Sequence, residues 1–142
     1  MDYLIFEKYK PKILDDFYLD NNKKNILKFF LKIENLNLLI IGNICTGKTC
    51  ILNFLINEYF NFNTFLIENN VLYVSSLKDN GINYFRNDIK KFSKKNNLFN
   101  KKKLIIIDDL ENINEQSQHI LLGLINKYKN KINFILTVNN YQ

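Results

Sequence analysis

The chain has four glycines, one proline, two cysteines, one histidine and no tryptophan, and a single arginine, Arg86, among its 20 basic residues. Each scarcity excludes something. Two cysteines, Cys45 and Cys50, cannot build a disulfide scaffold or a four-ligand metal site, so they read as small packing residues of a reducing compartment. The longest apolar runs are four or five residues. The N-terminus has no charged-then-apolar pattern, so neither a membrane span nor an export leader is expected. No proline- or glycine-rich linker and no internal repeat divides the 142 residues, a length that suits one domain with a real core.

What is present is a 46% hydrophobic composition, which excludes wholesale disorder, beside an abundance of Asn, Lys and Ile. That bias is the mark of an AT-rich genome and lowers the weight of any single surface lysine. The net charge of +6 permits contact with nucleic acid or anionic lipid. The only proline, Pro11, lies in an arm over residues 1–19 that reads as extended. Asp20 reads as the N-cap of a helix over 21–32, with Ile26, Leu27, Phe29 and Phe30 as its apolar stripe.

Residues 36–41 form a short apolar run, the pattern of a strand buried on both faces, and a helix is expected over 48–60. A strand over 71–75, an amphipathic helix over 82–94, a strand over 104–107, a helix over 115–129 and a strand over 132–138 complete the order. Alternation of this kind predicts parallel strands joined by helical crossovers, a three-layer α/β domain.

Two of the four glycines stand in Gly42-Asn43-Ile44-Cys45-Thr46-Gly47-Lys48-Thr49, the pattern G-x-x-x-x-G-K-[ST], followed by Cys50. Chance produces it in a chain of this length about one time in a hundred. It also stands where its chemistry requires, after a strand and at the start of a helix. The glycines let backbone N–H groups turn inward onto phosphate oxygens, and the helix N-terminus adds positive field. Lys48 is placed to reach the β- and γ-phosphates of ATP, and the Thr49 hydroxyl to bind Mg²⁺. A second acid motif should accompany it, and Leu104-Ile105-Ile106-Ile107-Asp108-Asp109 supplies one. Asp108 is the expected magnesium acid at the strand's C-terminal end, and Asp109 the expected water-activating carboxylate. Asn139, at the tip of the 132–138 strand, fits a polar sensor of the γ-phosphate. A hydrolytic acid directly after the magnesium acid, then a helix and a sensor strand, belongs to ATPases that insert an extra strand between the two motifs.

The chain resembles, along almost its full length, the N-terminal ATPase module of a replication factor C small subunit, a sliding-clamp loader of the AAA+ class. Glu7-Lys8-Tyr9-Lys10-Pro11-Lys12 with Leu14-Asp15-Asp16 is similar to that family's E-K-Y-R-P-x-x-L-D-D opening. Asp79-Asn80-Gly81-Ile82 and Phe85-Arg86-Asn87-Asp88-Ile89 resemble its D-x-x-G-I-x-x-x-R-x-x-I segment. Ser117-Gln118, Asn126-Lys127-Tyr128 and residues 134–139 match its long helix and sensor strand.

The resemblance implies a three-layer AAA+ P-loop fold with a mostly parallel sheet, in which residues 1–20 form an arm at the adenine site and 21–142 the ATPase core. Tyr9, Lys10 and Pro11 would lie beside the adenine. It also implies a hetero-pentameric ring with other clamp-loader subunits, using ATP and Mg²⁺ to set a sliding clamp on primer–template DNA in a nucleus, a reduced nucleus-like organelle or a viral replication site. Arg86, Lys90, Lys91 and Lys94 lie on one helix; Arg86, Lys90 and Lys94 at four-residue spacing share a face able to follow a phosphate backbone.

Departures from the family temper the expected activity. Asn43-Ile44-Cys45 replaces Pro-Pro-Gly inside the phosphate loop, Asp109 replaces Glu, and Leu122-Gly123 replaces Arg-Arg. The chain ends at Gln142, before the positions of the family's arginine finger, lid and collar. Two further readings follow: an ATP-binding scaffold subunit that hydrolyses little, and an origin-recognition or helicase-loading AAA+ factor.

Overall fold

The computed structural model describes residues 9–75, 84–95 and 101–139. The segments Glu7-Lys8 and Asp79-Asn80-Gly81-Ile82 lie outside the described residues. Strands β1 (Leu38–Ile41), β2 (Val71–Ser75), β3 (Lys103–Asp108) and β4 (Ile132–Val138) form one sheet in the order β1-β4-β3-β2, every pair parallel. β4 therefore lies between β1, which leads into the phosphate loop, and β3, which ends in Asp108. This is the inserted strand that the motif order predicts.

β3 explains the layering. Its residues alternate, Ile105 and Ile107 packing on one face with Val74, Ile89, Ile113, Leu121 and Phe134. Leu104 and Ile106 pack on the other with Leu36, Leu52, Ile56, Tyr59, Phe60 and Ile135. All four β3 residues are fully buried, so the strand is covered by helices on both faces, as a central parallel strand must be. Their burial contributes on the order of 2 kcal/mol each by transfer free energy.

The first face carries α5 (Glu115–Tyr128), started by Asn114, whose side chain accepts from the Ser117 amide at 2.8 Å. The second carries α2 (Lys48–Tyr59). Helix α1 (Asn21–Lys32) begins as expected at Asp20, whose Oδ1 accepts from the Lys23 amide at 2.8 Å. Leu27 packs with Leu14, Phe17, Phe54 and Leu55, and Phe30 against the α2 face of the sheet, but Ile26 and Phe29 are exposed.

Four expectations are corrected. β1 is an edge strand of the described sheet and its alternate residues, Leu39 and Ile41, are about half exposed, so among the described residues it is not buried on both faces. The arm is not wholly extended, because Leu14–Asp16 forms a 3₁₀ turn closed by Asp16 Oδ2, which accepts from the Lys12 and Ile13 amides at 3.0 and 3.1 Å. A short helix unforeseen in the sequence, α3 (Thr64–Asn70), precedes β2, capped by Asn63. Finally, the expected 82–94 helix is a π-helical segment, Tyr84–Ile89, continued by α4 (Lys90–Lys94). π-helical winding spreads a turn over more residues than an α-helix.

Candidate functional site

The phosphate loop leaves β1 at Gly42, whose amide donates to the Val138 carbonyl at 3.2 Å, tying it to the end of β4. Gly42 is required by close approach: a Cβ there would stand 2.8 Å from Thr46 Oγ1. That hydroxyl donates to the Asn43 carbonyl at 2.8 Å and folds the loop back on itself. Gly47, the N-cap of α2, is left-handed with φ 88°, a conformation glycine adopts at little cost. Two residues earlier Cys45 also takes a left-handed φ of 63°, although it carries a Cβ. So Cys45, standing where the resembled family has glycine, takes a left-handed form in which an L side chain is strained.

Lys48 is 8% exposed. Its Nζ donates to the Gly42 and Asn43 carbonyls, both at 2.8 Å. The ammonium is thus folded over the loop, two of its three hydrogens engaged by carbonyls that a phosphate can replace as acceptor. Around it opens a cavity of about 490 Å³ lined by Ile44, Cys45, Gly47, Lys48, Thr49, Cys50, Asp109 and Asn139. The first-turn amides of the twelve-residue α2 have no acceptors within the helix and supply donors at this cavity.

The opposite wall is built by the ends of β3 and β4. Both oxygens of Asp108 are engaged, Oδ2 by the Tyr73 hydroxyl and Oδ1 by the Thr137 hydroxyl. Thr137 Oγ1 also accepts from the Asp109 amide at 2.9 Å, so one buried hydroxyl fixes both acids. Asp109 is left-handed, φ 54°, which turns its side chain from the strand direction into the cavity wall. Asn139 Nδ2 donates to Asp109 Oδ1 at 2.9 Å and also to Glu111 Oε1. The Asn139 amide donates to the same Glu111 oxygen at 3.2 Å. Burial, and then its bond to Asp108, push the Tyr73 hydroxyl above the ordinary phenol range.

A second cavity, about 670 Å³, lies between the arm and α2, lined by Lys10, Pro11, Lys12, Ile13, Cys50, Asn53, Phe54, Ile56, Asn57, Phe62 and Ile67. Cys50, in the first turn of α2, lines both cavities. Tyr9 is 72% exposed and does not line this space. Asn43 and Thr46 shape the loop without facing the phosphate cavity.

On the far side of the sheet, Lys90, Lys91, Lys94 and Lys95 are exposed while Ile89 and Ser93 are buried. Lys91 approaches Asp88 at 4.0 Å. The helix end is held by the buried Lys103, whose Nζ donates to the carbonyls of Phe92, at 3.0 Å, and Lys95.

Sequence reasoning missed Tyr73, Thr137, Glu111 and Lys103. Glu111 alone had a local signal, an acid two positions beyond a known acid pair. The others act across strands, and no spacing rule reaches them.

Among the described residues no group of three or more His, Cys, Asp or Glu could hold a metal by itself. Magnesium does not need one, since it binds nucleotide through one or two protein oxygens, phosphate oxygens and water. A threonine hydroxyl and a single strand-end carboxylate are hard oxygen donors of that kind, so Thr49 and Asp108 fit Mg²⁺.

A parallel sheet with β4 inserted, a G-x-x-x-x-G-K-T loop on a helix N-terminus and an acid pair opposite define a P-loop nucleotide-binding protein. The sequence model of the ATPase family associated with various cellular activities (AAA) matches residues 38–142, and the chain belongs to that family. Among its curated relatives is replication factor C subunit 3 of Saccharomyces cerevisiae, 33% identical over 94% of this chain and 39% of that protein. A putative replication factor C small subunit of Acanthamoeba polyphaga mimivirus is 29% identical over 94% of this chain and 41% of that protein. The replication factor C small subunit of Aeropyrum pernix is 29% identical over 98% and 42%. The resemblance to the ATPase module of replication factor C small subunits therefore holds, and the chain spans about two-fifths of the length of these relatives.

Solved structures agree on the fold. RuvB of Thermotoga maritima superposes with a TM-score of 0.63 at 18% identity, over 92% of this chain and 41% of that one. AMPPCP-bound DnaA of Aquifex aeolicus does so with 0.62 at 19%, over 91% and 42%. The family is named for ATPase activity, and the DnaA structure has AMPPCP bound.

Proposed function

We propose that this chain is the ATPase module of a clamp-loader subunit, which with other subunits in a hetero-pentameric ring places a sliding clamp on primer–template DNA during replication and repair. The observation that carries this reading is the cavity in which the phosphate loop, Asp109 and Asn139 face one another. In that space Lys48 exchanges the Gly42 and Asn43 carbonyls for β- and γ-phosphate oxygens, and the loop and α2 amides cradle the rest. The adenine lies in the adjoining cavity against Lys10, Pro11 and Cys50. Mg²⁺, held by Thr49 and Asp108, would neutralise charge that develops on the phosphates. Asp109 accepts the proton of the attacking water, and the Asn139 amide orients that water or the γ-phosphate.

The exposed Lys90, Lys91 and Lys94 present positive charge to a phosphate backbone without reading sequence, and Arg86 is assigned to the same contact from the sequence. Replication factor C subunits among the relatives support the assignment to DNA replication, with the nucleus or a viral replication site as its setting.

A second reading is favoured by one observation. Asp109 is one methylene shorter than the glutamate usual in the family, and its Oδ1 is engaged by Asn139 at 2.9 Å. A base so held reaches less far, which describes a subunit that keeps ATP and turns it over slowly. An origin-recognition or helicase-loading role rests only on the fold shared with DnaA.

The test is ATP hydrolysis by this chain assembled with partner subunits, in the presence of clamp and primer–template DNA, with Lys48→Ala as control. Turnover that clamp and DNA stimulate and Lys48→Ala abolishes supports the clamp-loader reading. Binding without stimulated turnover selects the slow-turnover subunit, and no ATP binding overturns both.

A further inference from the structure

Each oxygen of the metal acid already accepts one hydrogen bond from a protein hydroxyl. The Tyr73 hydroxyl donates to Asp108 Oδ2 and the Thr137 hydroxyl to Oδ1. Each of these bonds takes one of the two acceptor sites on its oxygen and draws off charge that a cation would otherwise use, so either donor competes with a metal at Asp108.

The two donors are not equally free to leave. Thr137 is fully buried in the central strand β4, and the Asp109 amide donates to its hydroxyl at 2.9 Å. Its displacement would undo the placement of the neighbouring acid. Tyr73 sits on β2, an edge strand of the described sheet, and is 41% exposed. In the β2–β3 register it pairs with Ile106, and Ser75 pairs with Asp108, so the Tyr73 side chain reaches two residues along the strand to make its bond. A long side chain rooted at an edge and half in solvent can swing clear by a side-chain rotation.

We propose that Tyr73 is a gate on Asp108: its hydroxyl holds one acceptor site of Oδ2, and a divalent cation binds this carboxylate more tightly once that hydroxyl swings away. The gate rests on the reading of Asp108 as the magnesium acid and deepens it, because it sets how much free Mg²⁺ the site demands. Tyr73 is a positioning residue that acts through Asp108, and its removal changes the metal requirement rather than the phosphate cradle. Loss of a competing hydrogen bond of ordinary net strength corresponds to about a fivefold change in apparent metal affinity.

The experiment titrates Mg²⁺ into the chain with a fluorescent ATP analogue and compares wild type, Tyr73→Phe and Asp108→Asn. Phenylalanine keeps the ring, and a thermal melt of each variant checks the fold. Tyr73→Phe is expected to lower half-saturating Mg²⁺ about fivefold while leaving analogue binding in excess chelator unchanged. A purely structural role for the hydroxyl would move both quantities together. Half-saturation that stays the same or rises in Tyr73→Phe, while Asp108→Asn raises it, overturns the gate and leaves Asp108 as the metal acid. If Asp108→Asn leaves the Mg²⁺ dependence at its wild-type value, the metal assignment itself fails and the gate with it.

Discussion

Replacing Cys45 by glycine should stabilise this protein, although it deletes a side chain from the nucleotide site. Cys45 holds φ at 63° in an exposed loop, where its thiol contributes no packing to the core clusters. A left-handed conformation costs an L residue about 1–2 kcal/mol. Glycine removes that cost, but its unfolded chain is freer, which offsets about 0.4–1 kcal/mol. The balance is a gain of about 0.5–1 kcal/mol, or on the order of 1–4 °C in Tm for a domain of this size. Ile44→Gly is the control: Ile44 is also exposed but its φ is not positive, so it should lose about 0.4–1 kcal/mol by the entropy term alone. Urea unfolding of the three proteins, followed by circular dichroism, measures both changes. Equal destabilisation by the two glycines would refute the assignment of strain to Cys45.

Three further outcomes follow from the same structure. Asp109→Glu restores the longer base and should raise turnover in the assembled ring, measured by phosphate release; an equal or lower rate would contradict the reach argument. Asp20→Ala removes the acceptor for the Lys23 amide and should cost about 1 kcal/mol in urea unfolding with an unchanged slope. Burial first, and the nearby Glu34, push the Tyr59 hydroxyl up to about 12. Its proton is therefore held more tightly in the fold than in the unfolded chain. The stability this supplies is complete below pH 10 and drains as pH rises from 10 through 12, so a stability–pH curve should fall in that window and flatten in Tyr59→Phe.

How much of this was legible beforehand depends on how far apart the cooperating residues are. The phosphate loop was plain because its chemistry is local: Gly42, Gly47, Lys48 and Thr49 act within eight residues of chain. Asp20 was equally plain, since its partner is the amide three residues on. The inserted strand could be inferred because motif order constrains topology. Helix α3 escaped because Thr64–Asn70 is too short for a periodic stripe, and its only signal is the Asn63 cap. The half-exposed Leu39 and Ile41 escaped because an apolar run reads the same at an edge as at a centre.

Lys103 stands in a run of three lysines, yet it is 2% exposed and closes the end of α4. Burial pulls its ammonium below the usual lysine range, a state no local pattern announces. The donors on Asp108 come from two other strands, β2 and β4, and depend on register. Motif spacing could locate the acid, and only the sheet could show what holds it.

The central claim is that residues 42–49 grip the phosphates of ATP through Lys48. Calorimetric titration of ATP with Mg²⁺ into wild type and Lys48→Ala tests it most directly. Lys48 supplies charge-assisted bonds to phosphate, so the variant should lose on the order of 10–100-fold in affinity while its fold, by circular dichroism, is retained. Equal affinity of the two proteins for ATP would contradict the account.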